Sequence, residues 1–442
     1  MSVPRLFCDS EKFQGGELKV ITCKAINTKH QHGVSKSPQP QYHERSQARA
    51  CYPATWDFLL KEPMISMRFH LLGLAHLVTH KSNSTCAYTQ KIIKLAKMIR
   101  RNNHILFFYG IEGSQVECDE FITVCDLDTL TKTYGQYDKS VEFSRHDPKD
   151  LAHATFNQNA IAAINQRKQN RDILLCPMGN YQKPIADAVG LLAVESGVGY
   201  SGVFTSYRVF ESYAWMHYVY GLLNQDDGCW YDAVIPNYFE VSEFPFQAEK
   251  QDYLLYLGRI ISRKGVSVVS EVAKATGNQL FIVGQGSLDN PSEGLSLGAE
   301  KHIKYFPAVG PEERNQFLAR AKAVLMPTYY LEPFGGVNVE AQLCGTPVIT
   351  SDWGAFPETV LHGVTGYRCR VFEEFCWAVK NIHRLKPENC RAWAEKNYSL
   401  ERIGRMYEEY FQRVNHVFDS GWYQPNDGRR ELEWLNRYYP QS

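Results

Sequence analysis

Short, continuous apolar runs, each closed by a polar or glycine-containing loop, recur through most of this chain and constrain its fold more than any other feature. "MRFHLLGLAHLV" (Met67 to Val78), "HILFFYG", "EFITVC", "DILLCPMG", "GLLAVESGVG" and "AVIPNYF" are such runs, and "KIIKLAKMIRR" after the first has helical period. Strands apolar on both faces and separated by helices indicate a parallel sheet covered on both sides. The pattern breaks at "FEVSEFPFQAEKQ" (Phe239 to Gln251). It restarts as "YLLYLGR", "LFIVGQG", "IKYFPAV", "AVLMPTY" and "PVITSDW", with "GVSVVSEVAKAT", "PEERNQFLARA" and "GVNVEAQLC" as intervening helices. The expectation is an α/β chain of two doubly wound domains joined near residue 245, with a deep cleft between them. Ligands of such sheets bind beyond the carboxyl ends of the strands, where nearly every punctuating glycine lies.

The boundaries follow from the same pattern. Residues 1–62, rich in Gln, His, Ser, Pro and Arg, read as a disordered extension, or as sequence ahead of a natural start at Met64 or Met67. Residues 63–245 form the first domain and 246–400 the second. Residues 401–442 begin with the amphipathic "LERIGRMYEEYFQRVNHVF", expected to pack back across both domains. Two domains plus extras suit 442 residues.

Composition removes several classes. Lys+Arg and Asp+Glu both number 48, so no global charge favours nucleic acid or an anionic membrane. Twelve cysteines without CxxC pairs read as reduced thiols. No apolar run approaches the roughly twenty residues of a span, and the first residues lack the pattern of a secretory signal. A cytoplasmic protein is expected. "KIIKLAKMIRR" fits either the apolar face that a first helix must bury or a peripheral membrane contact.

Chemistry concentrates in the second domain. Arg259 directly follows a strand and Lys264 stands at the next helix start, a pairing suited to an anion beside free helix N–H groups. Gly284 and Gly286 end the next strand in a G-x-G turn. "EPFGGVNVEAQLCG" then sets Glu332 before a double glycine and Glu340 within the following helix. Gly335 and Gly336 admit a ligand close to the backbone, and the helix beginning near Val337 aims its amides at the same point. Glu340 can accept hydrogen bonds from vicinal hydroxyls, and Glu332 borders the pocket from another side. A diphosphate flanked by diols, as in a sugar nucleotide, fits this set.

"GRIISRKG", "VGQGS" and "EPFGGVNVEAQLCGTPVITSDWGAFPETVLHGVTGY" together resemble the retaining GT-B glycosyltransferases with a Glu-x7-Glu motif (the family 4-like, "glycosyl transferases group 1" type), over nearly the whole second domain. The resemblance implies two Rossmann-like domains facing a cleft. It implies a sugar moved, with retention and without a metal or other cofactor, from a UDP- or GDP-linked donor to a hydroxyl acceptor. Arg259 and Lys264 would hold the diphosphate, Glu340 the ribose, and Glu332 the transferred sugar. The amides of Gly335, Gly336 and Val337 would support the distal phosphate. In "VIPNYFE", Tyr238 stands where the family has Gly. The first domain matches only in its strand-and-helix pattern. Ser84 (with Ser82 and Thr85, in the loop after the first strand), Glu195 and Arg208 are its acceptor-side candidates, with capping as the alternative role for Glu195. His217, in an aromatic run, reads as a core histidine, and His76 and His80 lack the further ligands a metal needs. A phosphorylase, a sugar-nucleotide epimerase and an inactive binding module remain as alternatives.

Overall fold

The computed structural model describes residues 66–83, 86–136 and 147–420. The extension expected over 1–62, the acceptor candidate Ser84, Thr85 and the tail beyond residue 420 lie outside the described residues.

The first sheet has the order β3-β2-β1-β4-β5-β6-β7 and every pair is parallel. Its strands are β1 (Arg68–Leu72), β2 (Ile105–Ile111), β3 (Glu120–Cys125), β4 (Ile173–Leu175), β5 (Leu192–Val198), β6 (Tyr207–Phe210) and β7 (Ala233–Val234). Around it run α1 (Ala87–Arg101), α2 (Leu127–Tyr134), α3 (Leu151–Arg167), α4 (Lys183–Val189) and α5 (Tyr213–Leu222). The second sheet contains β8 (Tyr253–Leu257), β9 (Gln279–Val283), β12 (Ile303–Phe306), β13 (Ala323–Met326), β14 (Val348–Ser351) and β15 (Gly366–Cys369). Its order is β12-β9-β8-β13-β14-β15, again all parallel, and β10 (Asp289–Asn290) and β11 (Leu295–Ser296) form a separate small hairpin. α6 (Val266–Thr276), α7 (Pro311–Arg320), α8 (Gly336–Leu343), α9 (Phe356–Thr359), α10 (Phe372–Lys380) and α11 (Pro387–Tyr398) belong to this half. β6 and β15 are strands that the apolar pattern does not announce: "YRVF" and "GYRC" mix polar and apolar residues.

Strand burial explains the runs. All five residues of β8 are buried, as are four of five in β1, because helices cover both faces. In β5 the pairing to β6 shifts register between Glu195 and Val198. In each sheet the winding reverses beside the central strand, between β1 and β4 and between β8 and β13. The crevices that ligands use in doubly wound sheets open at these reversals.

The chain crosses between the halves twice, side by side. The Phe239 N–H donates to the Tyr398 carbonyl at 2.9 Å, and the Leu400 N–H donates to the Phe239 carbonyl at 2.8 Å. After the second crossing α12 (Leu400–Ser420) joins the first-domain core. Ile403, Tyr407, Phe411 and Val414 pack there with Phe69, Leu95 and Ile99. Phe69 and Phe411 meet with centroids 4.8 Å apart and rings tilted by 56°, and the Glu408 carboxylate meets the His104 ring at 2.6 Å. No helix among the described residues is long and apolar enough to cross a membrane.

The basic residues of α1 pair with carboxylates of the protein itself. Lys91 contacts the Glu211 carboxylate, Lys94 lies 3.9 Å from Glu243, Lys97 and Arg101 share Glu240 at 2.5 and 3.0 Å, and Arg100 meets Asp119 at 2.5 Å. The apolar face (Ile92, Leu95, Ile99) is in the core.

Because α12 completes a core formed by residues far earlier in the chain, Phe411→Ala should destabilise the fold by about 3–5 kcal/mol. Urea unfolding followed by circular dichroism measures this; a loss below about 1 kcal/mol would contradict that packing.

Candidate active site

The site is built where β8, β9 and β13 end. A cavity of about 330 Å³ opens there, and Arg259, Lys264, Gly284, Glu332 and the Gly335–Val337 turn all line it. Arg259 leaves β8 two residues after its last strand position, and Lys264 ends a short 3-10 turn just before α6. The Lys264 ammonium contacts the buried Glu332 carboxylate. Tyr330 backs the same corner: the Arg263 guanidinium lies 4.0 Å from its ring centroid and the Lys264 ammonium 5.0 Å. Cations and one carboxylate are therefore held together with aromatic support at the rim of one pocket.

The double glycine has two distinct causes. Gly335 starts α8 in the left-handed region (φ 75°), and a Cβ on it would stand 2.7 Å from the Phe356 ring. Gly336 carries no such demand, since its nearest neighbour would be Phe239 at 3.8 Å, an ordinary contact. It lines both this cavity and the next, so the space its missing side chain leaves is cleft space. Asn338 fixes the start of the helix by donating to the Gly335 carbonyl at 2.7 Å and to Thr359 Oγ1 at 3.1 Å. The α8 amides are thereby fixed toward the cavity.

A larger cavity of about 810 Å³ adjoins the first and shares Ala87, Arg314, Gly336 and Val337 with it. Glu340 lines this one, with one carboxylate oxygen 3.2 Å from an Arg314 Nη2 donor and the other without a partner. Lys91 and Lys94 of α1 form the facing wall. Burial pushes the Lys94 ammonium below its ordinary pKa, and Glu243 and Glu340 oppose that shift.

The two halves are tied together beside this cleft. Ser212 caps α5 by accepting from the Trp215 N–H at 3.1 Å, while its hydroxyl donates to the Pro333 carbonyl at 2.6 Å. Glu358 of α9 accepts from the Tyr213 and Ala214 N–H groups at 2.9 and 2.8 Å. A carboxylate from one domain thus satisfies a helix N-terminus of the other.

Of the remaining candidates, Ser82 and the neighbouring His80 line the larger cavity, and the others stand elsewhere. Gly286 lies just outside the first cavity, packed on Ile260, and its carbonyl accepts from the Tyr305 hydroxyl at 3.0 Å. Glu195 caps a loop: its carboxylate accepts from the Phe204 and Thr205 N–H groups at 3.0 and 2.9 Å, and it lines neither cavity. Arg208 grips Asp232 with two bonds of 2.8 and 2.6 Å, buried away from the cleft. His217 is exposed on α5 rather than in the core, because its neighbours Trp215 and Val219 occupy the inward face. His80 meets Ser82 at 2.7 Å and Gln115 at 3.0 Å, and His76 stacks on His153 with centroids 6.3 Å apart.

Sequence reasoning missed Arg314, Lys91 and Lys94, and the cross-domain caps Ser212 and Glu358. The spacing of Lys91 and Lys94 placed them on one helical face, but only the partner across the cleft gives that face a use. Nothing in "PEERNQF" announces that Arg314 meets Glu340.

Comparison with known proteins agrees with the geometry. Residues 239–399 match Glycosyl transferases group 1. A glycogen synthase from Mycobacterium tuberculosis (strain CDC 1551 / Oshkosh) is 34% identical over 151 residues, 31% of this chain and 36% of that protein. A D-inositol 3-phosphate glycosyltransferase from Segniliparus rotundus is 32% identical over 154 residues, 32% and 34% of the two chains. The matches thus span about a third of these relatives' length. Among solved structures, AviGT4, a glycosyltransferase involved in avilamycin A biosynthesis, superposes with a TM-score of 0.58 at 18% identity, covering 79% of this chain and 98% of its own. Sucrose-phosphate synthase from Thermosynechococcus elongatus does so with 0.58 at 16% identity, covering 80% and 100%. The fold is the two-sheet GT-B fold of these solved structures, and residues 239–399 are similar to glycosyl transferases group 1.

The two glycines should separate experimentally. Gly335→Ala is expected to lower stability by about 1 kcal/mol or more, because it forces a left-handed residue against Phe356. Gly336→Ala should leave stability within about 0.5 kcal/mol while obstructing the cavity. Thermal unfolding of both variants checks this, and equal losses would mean that Gly336 is also a packing residue.

Proposed function

We propose that this protein is a retaining glycosyltransferase that moves a sugar from a UDP- or GDP-linked donor to a hydroxyl acceptor without a metal. The observation that carries this reading is the meeting of Arg259, Lys264, Glu332 and the open amide end of α8 around one cavity at the winding reversal of the second sheet. Two cations and a helix N-terminus match a diphosphate. They are also placed to stabilise the charge that grows on it as the glycosidic bond breaks.

In this reading Arg259 and Lys264 bind the diphosphate, the Gly335–Val337 amides its distal end, and Glu332 the hydroxyls of the transferred sugar. Glu340 binds the ribose, with Arg314 orienting its carboxylate. The acceptor oxygen forms its bond to the anomeric carbon on the face that the diphosphate leaves. The bonding pair goes to the diphosphate oxygen, which takes the acceptor's hydroxyl proton. HepE from Anabaena, whose fold is shared with a TM-score of 0.56 at 16% identity, covering 78% of this chain and 99% of its own, is described in complex with UDP and glucose. A ligand of that class is consistent with the two cavities.

Calorimetric titration with UDP-, GDP-, ADP- and TDP-sugars, with and without EDTA, tests the donor. Binding to one nucleotide, unchanged by EDTA, is the expected result; failure to bind any would overturn the reading. With a donor in hand, Lys264→Ala should reduce kcat about 10²–10³-fold. Glu340→Ala should raise the donor KM about tenfold while changing kcat less. Near-normal kinetics in either variant would remove that residue from its role.

A further inference from the structure

Lys91 lines the larger cavity from the first-domain side, yet its side chain is only 15% exposed. Its ammonium contacts the Glu211 carboxylate and donates to the Gly197 carbonyl at 3.3 Å. Two oxygens thus engage a group with three N–H donors. Glu211 directly follows β6, and its other oxygen accepts from Asn237 Nδ2 at 3.0 Å. The chain also makes room for this carboxylate: a Cβ at Gly199 would stand 2.6 Å from it. Asn237 lines the same cavity as Lys91. Gly197, Gly199, Glu211 and Asn237 lie at or just past the carboxyl ends of β5, β6 and β7, the side of a doubly wound sheet that receives ligands, and Lys91 reaches them from α1.

Stability alone gives little reason for this arrangement. Withdrawing an ammonium and a carboxylate from water roughly cancels their attraction, and apolar residues of the same volume usually serve as well. Burial pushes the Lys91 ammonium down to about 7, with Cys86 opposing the shift, and the group keeps N–H donors in either protonation state. What an apolar pair cannot provide is an N–H donor on the cleft wall. Asn237 adds the complement, because its Nδ2 is engaged by Glu211 and its side-chain carbonyl is an acceptor on the same wall. A hydroxyl group, which both accepts and donates, matches this donor–acceptor pair.

We propose that Lys91 and Asn237 form the acceptor subsite and select a polyol, such as a sugar or cyclitol, by gripping a hydroxyl adjacent to the one that attacks. The inference rests on the glycosyltransferase reading. Glu211 acts through Lys91 and is a positioning residue. Neither side chain lines the cavity of Arg259, Lys264 and Glu332, and both line the larger cavity from the first-domain side, across from Glu340.

The test uses the full chain, the donor sugar nucleotide that binds best, and two small probe acceptors, glycerol and 1-propanol, at equal concentration. The wild type should transfer to glycerol in preference to propanol by about tenfold or more, the worth of one hydrogen bond to a charged group. Lys91→Met and Asn237→Ala should each erase most of that preference, and Lys91→Arg should keep part of it. Calorimetric binding of the free nucleoside diphosphate confirms that each variant is folded. A merely structural role for Lys91 would slow transfer to both probes alike and leave the ratio unchanged. That result, or a wild type without the preference, overturns the proposal. A wild type that binds no nucleoside diphosphate would instead sink the glycosyltransferase reading on which it rests.

Discussion

The site depends on the paired crossing at Phe239 and Ser399. Two strands of chain pass between the domains hydrogen-bonded to each other, so both sheets are held from one seam. Phe239 stacks on Phe334, in the loop that precedes the double glycine, and Phe334 meets Tyr398 edge-on. The seam is therefore continuous with the turn that begins α8. The same crossing sends α12 into the first-domain core, where its apolar face completes what β1 and α1 begin. The last described helix of the chain thus anchors the domain formed by its earlier residues.

From that seam the chemistry follows by short steps. Parallel strands covered on both faces leave only their ends open. The carboxyl ends of the second sheet place Arg259, Gly284 and, one loop further, Glu332 around a common space. The helix that follows brings amides and Glu340 to the adjoining space, and the first domain supplies α1 as the far wall. Ser212 and Glu358 then join the domains, Ser212 by donating to the Pro333 carbonyl and Glu358 by accepting from the Tyr213 and Ala214 N–H groups.

The sign of the charge differs across the cleft. Lys91 and Lys94 stand on the first-domain wall, and Glu340, Glu312 and Glu313 on the other. Arg314 tempers the second wall through its bond to Glu340. The zero net charge of the whole chain conceals this polarity, which is why composition said nothing about what the cleft prefers.

The sequence by itself determined the two parallel sheets, because a strand buried on both faces must be apolar throughout and a helix covering it must alternate. It also determined the cluster of Arg259, Lys264, Glu332 and the double glycine, since all of these lie within one domain and follow strand ends in order. What it left open were relationships between distant segments. Glu195 and Arg208 have the residue types of a binding site, yet only the folded chain turns one to the Phe204–Thr205 amides and the other to Asp232. Lys91 read as one charge in a basic stripe until Glu211, 120 positions later, came into contact with it. Periodicity is a local property and survives in the sequence. Which charge finds which partner depends on how loops bring strand ends together, and that was decided only by the tertiary structure.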